Sequence, residues 1–350
     1  MWNDSGTAAG LQGLCARCLP ARRAGCALPQ KPAGLYFVLG KGMYPMRWET
    51  RIQPGLCAPS AVALGYFDGV HLGHRAVLAA ARAWAQEHGA ATAVFTFTLP
   101  PEAGLKGAHI LQDEEKRSRL CACGAELVLC PPFEAFCALA CEEFVAQVLC
   151  GALGAKAVFC GPNFTFGRGR AGDARLLEKL CAAHGVEVHV VPLAAWGGQT
   201  VSSTRIRAAL AQGELPAANA MLAQPYAVSL PVRHGRGNGR QWGFPTINQV
   251  YPSGLLVPRE GVYVSRVMLA DGTVHPGATG LGSRPTVNDD AGDVTCETFL
   301  PGFSGDVYGE TARLVLCRYL WPTRKFESVD ALRQMVQRAA AAALEGWQGV

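Results

Sequence analysis

Short apolar segments alternate with helix-like segments between about residue 60 and residue 193, which restricts the first half of the chain to very few folds. The apolar segments are AVALGYF, ATAVFTF, ELVLC, KAVFC and VEVHVVPL, and the helical ones are HRAVLAAARAWAQEH, a stretch near Lys116 to Cys123, CEEFVAQVL and ARLLEKLCAAH. Strands that alternate with helices predict βαβ units, in which helices wrap a parallel sheet. This half is therefore expected to be α/β, with ligands bound at the carboxyl ends of its strands.

The alternation stops after Pro225. Short strand-like segments, such as GVYVSRVML and TARLVLCRYL, then follow one another between glycine- and proline-rich turns until about Trp321. A closing helix is expected from Ser328, a good N-cap, to about Leu344. We therefore predict an α/β domain over residues 46–224 and a mostly β domain over 225–350, preceded by a tail or an early start codon over residues 1–45.

Composition narrows the function classes. Of the 350 residues 49% are apolar and 17% charged, and no apolar run approaches the roughly 18 residues of a membrane span. The net charge of +5 is spread without a basic block, so neither a nucleic acid nor a membrane is expected as a partner. The fourteen cysteines are irregularly spaced, which predicts mostly free core thiols and a cytoplasmic protein. The one CxxC, Cys15 to Cys18, lacks the second pair of a zinc site.

The segment GYFDGVHLGHR joins the end of a predicted strand to the start of a predicted helix. Its glycines allow a tight turn, and His71 and His74 stand three residues apart where the helix begins. A helix N-terminus attracts anions, and two imidazoles can donate hydrogen bonds to oxygens that gain charge during phosphate chemistry. The plainer alternative is that the two histidines only cap and pack the helix. We favour a phosphate site.

Two further segments are expected at the same edge of the sheet. In SSTRIR, from Ser202 to Arg207, hydroxyls precede two arginines at a predicted helix start, which is a second anion-binding pattern. Arg205 and Arg207 are two residues apart and would point to different faces, so one would bind phosphate and the other would be structural. The glycine-punctuated loop GPNFTFGRGRAGD follows the strand KAVFC and is also compatible with a plain turn.

A third pattern lies in the β half, in GRGNGRQWGFPTIN. Its glycines let the backbone approach a phosphate, and Thr246 and Asn248 share one face if the segment is extended. A hydroxyl and an amide oxygen are suitable donors for Mg²⁺ that also binds ATP phosphates. Glu297 stands in the otherwise uncharged strand VTCETFL, where a carboxylate is either an exposed edge residue or a functional base.

The first set of motifs resembles the bacterial FAD synthetase family. GYFDGVHLGHR resembles its HxGH nucleotidyltransferase motif G-x-FDGVH-x-GH, while GPNFTFGRGRAGD and VSSTRIR resemble its G-x-DF-x-FG-x-x-R-x-G and ISST-x-IR segments in the same order. The resemblance implies a Rossmann-like domain that adenylylates FMN to FAD with ATP and Mg²⁺, releasing pyrophosphate. It implies catalytic roles for His71 and His74, ATP contacts for Gly65, Phe67, Asp68, Gly73, Ser203, Thr204, Arg205 and Arg207, and flavin contacts for Asn163 and Phe164.

The second half resembles the riboflavin kinase family. GFPTIN resembles the family's G-x-PTAN motif, and it is followed by GVY, RPT (Arg284 to Thr286), the ET pair at Glu297, DVYG and RKF. The resemblance implies a small closed β-barrel with a C-terminal helix that phosphorylates riboflavin with ATP. It implies that Thr246 and Asn248 hold Mg²⁺, Glu297 is the base, Gly235 and Gly239 approach ATP, and Arg324 and Phe326 lie near the flavin.

The chain departs from the usual wording at several positions. The replacements are Asn163 for Asp, TFTLPPE for TFEPHP, Ile247 for Ala, Gly280 for Asn, Phe299 for His and LAQPY, with Gln224, for LGRPY. They indicate a divergent member of the bifunctional riboflavin kinase/FMN adenylyltransferase family. Two alternatives follow: a chain in which only the adenylyltransferase works, and a non-catalytic flavin- or nucleotide-sensing protein.

Overall fold

A computed structural model describes residues 46–99, 108–235, 238–283, 294–324, 326–345 and 347. The expectation for residues 1–45 and the motif Arg284 to Thr286 lie outside these ranges. The strands are β1 (Arg47–Glu49), β2 (Ser60–Leu64), β3 (Ala91–Phe95), β4 (Leu127–Leu129), β5 (Ala155–Cys160), β6 (Glu187–Val190), β7 (Ala195–Trp196), β8 (Gln199–Thr200), β9 (Ala227–Pro231), β10 (Thr246–Val250), β11 (Gly261–Met268), β12 (Val274–Ser283), β13 (Val294–Phe299) and β14 (Thr311–Trp321). The helices are α1 (Leu72–His88), α2 (Asp113–Ala122), α3 (Cys141–Glu143, continued by a π-helical segment, Phe144–Ala152), α4 (Ala174–Ala182), α5 (Ser203–Gln212), α6 (Leu215–Leu222), α7 (Asn238–Gln241) and α8 (Val329–Glu345).

The first half of the described chain contains the predicted parallel sheet. Its strand order is β1-β4-β3-β2-β5-β6, and every neighbouring pair is parallel. All five residues of β2 are buried because both faces of the sheet are covered. Ala61 and Ala63 pack with the α1 side, whereas Val62 and Leu64 pack with the α3 side, as the two-residue repeat of a strand requires.

Strand β2 lies where the direction of strand order reverses. The chain moves from β2 to β3 on one side, and returns later to β5 on the other side. The loops that follow β2 and β5 therefore diverge and leave a crevice at the carboxyl edge, which is where open α/β sheets bind ligands. The GYFDGVHLGHR loop follows β2 and the GPNFTFGRGRAGD loop follows β5.

The change to antiparallel structure takes place between α6 and β9. The second sheet has the order β10-β13-β12-β11-β14-β9, and all its pairs are antiparallel. A bridge between Arg233 and Asn248 connects the two outer strands, so the sheet nearly closes into the predicted barrel. Helix α8 packs on β11 and β12, and Ser328 caps it by accepting a hydrogen bond from the Ala331 N–H at 3.1 Å.

Several local expectations are refined. The helix expected near Lys116 to Cys123 begins earlier, at Asp113, because three acidic residues stabilise its first turn. The segment CEEFVAQVL starts as an α-helix and continues as a π-helix. The eleven cysteines in the described ranges are free, and five of them are buried. Among the described helices, none has the length and apolar character needed to cross a membrane.

Helix α2 joins the two sheets. The side chain of Gln112 donates to the Ser229 carbonyl at 3.1 Å and accepts from the Ser229 N–H at 2.7 Å, so it pairs with β9 like another strand residue. Arg119, only 1% exposed, donates to the Pro225 carbonyl at 2.9 Å. These partly buried hydrogen bonds fix the barrel against α2.

Candidate active sites

The loop after β2 is tightly folded. Phe67 and Val70 have positive φ values of 51° and 45°, and both are completely buried. Non-glycine residues in this conformation are strained and need strong support from their surroundings. A Cβ on Gly65 would lie 3.1 Å from the Phe67 ring, which explains the glycine at that position. The loop therefore presents the following residues in one fixed arrangement.

His71 and His74 form a stacked pair at the start of α1. Their ring centroids are 3.7 Å apart and the planes differ by 13°. His71 is the N-cap residue, and its Nδ1 accepts from the His74 backbone N–H at 3.4 Å. A Cβ at Gly73 would meet His71 Cε1 at 3.2 Å. The capping role considered from sequence is therefore real, and it also fixes the ring that stands at the helix N-terminus.

Burial keeps both imidazoles neutral. It lowers the pKa of His71 to about 4. Burial also lowers the pKa of His74 well below its ordinary value, and so does repulsion from Lys116 and from His71 whenever His71 is protonated. Since Nδ1 of His71 accepts a hydrogen bond, its Nε2 carries the proton and can donate. Nδ1 of His74 is shielded from solvent and has no hydrogen-bond partner among the described residues. The pair is thus a set of neutral donors suited to phosphate oxygens.

Asp68 and Arg207 are brought together below this loop. Asp68 is 3% exposed; its carboxylate forms an ion pair with Arg207 and accepts from the Ile110 N–H at 3.0 Å. Arg207 also donates from Nε to the Ala108 carbonyl at 2.9 Å. The resemblance to FAD synthetases implies ATP contacts for both residues. The structure adds a mutual structural bond that ties the start of α5 to the histidine loop.

Arg205 contacts a different part of the molecule. Its Nη1 donates to the carbonyls of Trp196 and Gln199 at 2.9 and 3.0 Å, and the guanidinium group lies 5.3 Å from the Trp196 ring centroid. The two arginines therefore reach separate neighbours, and Arg205 supports the β7–β8 hairpin. Ser202 caps α5 by accepting from the Arg205 N–H at 3.3 Å, so Ser203 and Thr204 form the first turn, where backbone N–H groups lack helical partners.

The flavin residues expected in this half follow β5. Asn163 is exposed, and Phe164 is partly buried and stacked on Phe166 with 6.0 Å between ring centroids. Phe166 bridges to Gly172, where a Cβ would come within 2.5 Å of the Phe166 ring. This loop stands beside the histidine loop because β5 neighbours β2.

One charged residue at this edge was not found from the sequence. Lys116 is 6% exposed, and its Nζ donates to Thr96 Oγ1 at 2.9 Å. The segment DEEKRSR is typical of an exposed helix face, so no local pattern distinguishes Lys116 from its neighbours. Only the packing of α2 against the sheet places this ammonium group near His74.

The barrel contains a cavity of about 650 Å³. It is lined by all of the residues expected there: Gly235, Gly239, Thr246, Asn248, Glu297, Arg324 and Phe326. Asn248 on β10 stands directly opposite Glu297 on β13. A Cβ on Gly235 would lie 2.5 Å from Asn248 Nδ2, so any larger residue there would displace the Asn248 side chain. Helix α8 closes one side of the cavity through Leu332 and Met335.

The donor set at the cavity suits a magnesium ion that arrives with ATP. Thr246 and Asn248 are two residues apart on β10 and therefore face the same side. They offer neutral oxygens, and the described ranges contain no cluster of three or more His, Cys, Asp or Glu residues that would hold a metal alone. Mg²⁺ keeps several waters and commonly takes substrate phosphates as ligands, which matches such a sparse set.

Comparison with known proteins assigns a family model to each half of the chain. The FAD synthetase family model matches residues 56–205, and the riboflavin kinase family model matches residues 222–346. The bifunctional riboflavin kinase/FMN adenylyltransferase of Escherichia coli K12 is 33% identical over 289 residues, covering 81% of this chain and 91% of that protein. The chain belongs to the bifunctional riboflavin kinase/FMN adenylyltransferase family.

Other relatives support this placement in the bifunctional family. The Pseudomonas fluorescens protein of the same name is 33% identical over 315 residues, covering 87% of this chain and 96% of the relative. A crystal structure described as a macrolide-efflux protein from Streptococcus pneumoniae has a TM-score of 0.76 and 28% identity, and it covers 87% of this chain and 100% of that one. The likeness to that structure extends over both halves of the chain.

The residues that depart from the usual motifs of the bifunctional family lie in different parts of the structure. Gly280 and Phe299 line the barrel cavity, so they alter its wall directly. Ile247 is buried and alternates with Thr246 and Asn248, which places it in the core instead. Of the TFTLPPE segment, the structure describes the residues up to Leu99.

Proposed function

We propose that the two reactions of FAD synthesis use two separate sets of residues in this chain. The chain phosphorylates riboflavin to FMN and adenylylates FMN to FAD, with release of pyrophosphate. We assign the kinase step to the barrel cavity and the adenylyl transfer to the carboxyl edge of the parallel sheet. ATP, riboflavin, FMN, FAD and pyrophosphate are the small-molecule partners that this assignment requires.

In the adenylyl transfer, a phosphate oxygen of FMN attacks the α-phosphorus of ATP, and pyrophosphate leaves. His71 and His74 donate hydrogen bonds to phosphate oxygens from the N-terminus of α1, where the helix dipole also favours negative charge. Gly65, Phe67, Asp68 and Gly73 shape this loop. Ser203 and Thr204 receive the other phosphates at the start of α5, beside Arg205 and Arg207. No covalent protein intermediate is needed, because positioning of the substrates and stabilisation of the developing charge account for the rate enhancement.

In the kinase step, Glu297 accepts the proton of the riboflavin 5′-hydroxyl as its oxygen attacks the γ-phosphorus of ATP. Thr246 and Asn248 hold Mg²⁺, which when bound shields the charge of the ATP phosphates. The glycine-lined entrance with Gly235 and Gly239 lets the backbone approach the nucleotide. Arg324 and Phe326 stand on the cavity wall, where a cationic and an aromatic side chain suit a flavin ring.

The observation that carries this assignment is the separation of the two residue sets. The stacked histidines stand on the parallel sheet, while Thr246, Asn248 and Glu297 share a cavity inside the antiparallel one. An activity confined to the adenylyl transfer is the second candidate, because Gly280 and Phe299 replace polar residues of the family on the kinase cavity wall.

Chromatography of reaction products tests the assignment. Purified protein is incubated with ATP and Mg²⁺, once with riboflavin and once with FMN. We expect riboflavin to give FMN and then FAD, and FMN to give FAD. Conversion of FMN alone would support the second candidate. Binding of flavin or ATP without any product would mean a sensing protein and would refute both.

A further inference from the structure

Lys116 carries a buried charge that the residues assigned above do not account for. It belongs to α2 and is 6% exposed. Among the described residues, its Nζ has one hydrogen-bond partner, Thr96 Oγ1 at 2.9 Å, and no carboxylate pairs with it. An ammonium group withdrawn from water without an ion-pair partner destabilises the fold, because it loses its hydration and gains no counter-charge. Binding of an anion would explain why a buried ammonium group is present at this position.

The hydrogen bonds around Lys116 fix its head at the edge of the sheet that binds ligands. Thr96 follows β3 and donates its hydroxyl proton to the Tyr66 carbonyl at 2.8 Å, so the Thr96 oxygen accepts from Lys116. Tyr66 follows β2, and the Nζ lies 5.1 Å from the centroid of its ring. The ammonium group is therefore held at the carboxyl ends of β2 and β3, and the histidine loop follows β2.

The groups around Lys116 leave its charge largely uncompensated. Asp68 attracts it, but the Asp68 carboxylate is already paired with Arg207. Asp113 lies on the same helix, and burial raises the pKa of the Cys130 thiol, which therefore stays neutral near pH 7. On the α1 side the charge acts on His74. Burial is the largest effect and lowers the pKa of Lys116; when protonated, the group places a positive charge beside the histidine pair.

We propose that Lys116 is a positioning residue of adenylyl transfer, whose fixed charge draws the ATP phosphates onto the His71–His74 pair. This inference rests on the proposed function of that site. The Nζ does not need to touch the substrate, because a charge in a low-dielectric interior acts over several ångströms. The same charge favours neutral imidazoles and so preserves their arrangement as donors.

The experiment compares Lys116→Met, which keeps length and removes charge, with Lys116→Arg, which keeps charge. Lys179→Met, on the exposed face of α4, is the matched control. Two quantities are measured with the full chain: the dissociation constants of ATP by titration calorimetry, fitted with two independent sites because the barrel is also assigned ATP, and the KM for ATP in FAD formation from added FMN. We expect Lys116→Met to weaken both by about tenfold or more, as loss of a nearby charge should, and Lys116→Arg to retain most of the affinity.

Two further readouts separate a positioning role from a structural one. Lys116→Met should unfold at the same temperature as the wild type or higher, since an apolar side chain replaces a buried charge. The acidic limb of FAD formation should move to higher pH, because removing the positive charge raises the pKa of His74. FMN formation in the barrel should stay unchanged and report an intact fold.

The outcomes are distinct. If the wild type makes no FAD from FMN, the proposed function of the site fails, while ATP binding still tests Lys116. If the wild type makes FAD and Lys116→Met binds ATP with equal affinity, the inference is wrong. Equal losses of affinity and of stability in Lys116→Met and Lys116→Arg would show a packing role and would also overturn it.

Discussion

Glu115 on α2 and Arg313 on β14 form a partly buried ion pair between that helix and the barrel, with 2.9 Å between Arg313 Nη2 and Glu115 Oε1. Arg119, one turn further along α2, donates to the same carboxylate at 2.9 Å. Glu115 thus compensates two guanidinium groups, and the residue that follows it is Lys116. The helix that carries Lys116 is therefore bonded to the barrel.

Replacing Glu115 should be strongly destabilising. Glu115→Gln leaves the fully buried Arg119 without a counter-charge, which we expect to lower the free energy of unfolding by about 3 kcal/mol. Urea denaturation measures this change. Arg313→Gln should cost less, because Arg119 still pairs with Glu115, and Arg318→Gln, exposed on the same strand, should cost almost nothing. Similar losses in all three variants would contradict the arrangement.

The contribution of Glu115 should depend on pH. Burial acts to raise the pKa of Glu115, but hydrogen bonds and charges of Arg313 and Arg119 outweigh it and hold the pKa below its usual value of 4.5. Stability from a lowered carboxyl pKa is present above the usual value and is lost as pH falls through the folded pKa. The difference between wild type and Glu115→Gln should therefore shrink below about pH 4.5. Ordinary carboxyl groups have titrated by about pH 3. A difference in unfolding free energy that stayed constant down to that pH would contradict this expectation.

His74→Ala should abolish FAD formation from FMN and leave FMN formation from riboflavin intact. Loss of a fixed donor to a developing phosphate charge typically lowers the rate by about 100- to 1,000-fold. Separate assays with the two flavins and a fixed ATP concentration measure the two steps. His88→Ala, at the exposed end of the same helix, is the control. Equal loss of both steps in His74→Ala would contradict independent sites.

Glu297→Ala should have the opposite effect. Without the proposed base, FMN formation should fall by about 100- to 10,000-fold, whereas adenylylation of added FMN should continue at the wild-type rate. Quantifying each flavin after chromatography distinguishes the steps. Glu310→Ala, an exposed carboxylate near the start of β14, serves as the comparison. A kinase rate in Glu297→Ala equal to that of the comparison would remove Glu297 from the mechanism.

His71 should make stability fall in weakly acidic solution. Its pKa is lowered by burial from 6.5 to about 4, so the folded state binds this proton less readily than the unfolded chain. A group with a lowered pKa contributes stability above the unfolded value and loses it as pH falls towards the folded value. His71→Asn retains a side-chain oxygen for the helix cap and removes the titration. Between pH 6.5 and 4, the wild type should lose up to about 3 kcal/mol more unfolding free energy than His71→Asn. Parallel pH curves for the two proteins would refute the burial effect.

The sequence alone determined the two fold types and the main candidate residues. The alternation of strands and helices before Pro225, and the short strands after it, follow from the local periodicity of apolar residues. That periodicity can be read directly from the sequence. The histidine motif and the Thr246, Asn248 and Glu297 set were recognisable because each lies within one short segment or on adjacent strands of a known pattern.

Tertiary structure decided what no local pattern contains. Arg207 and Arg205 differ in role because one meets the buried Asp68 and the other meets the carbonyls of a hairpin. Lys116 belongs to a run of charges that is typical of a solvated helix, yet the packing of α2 removes it from water. Long-range neighbours set burial and ion pairing, and these in turn set the charge state on which each site depends.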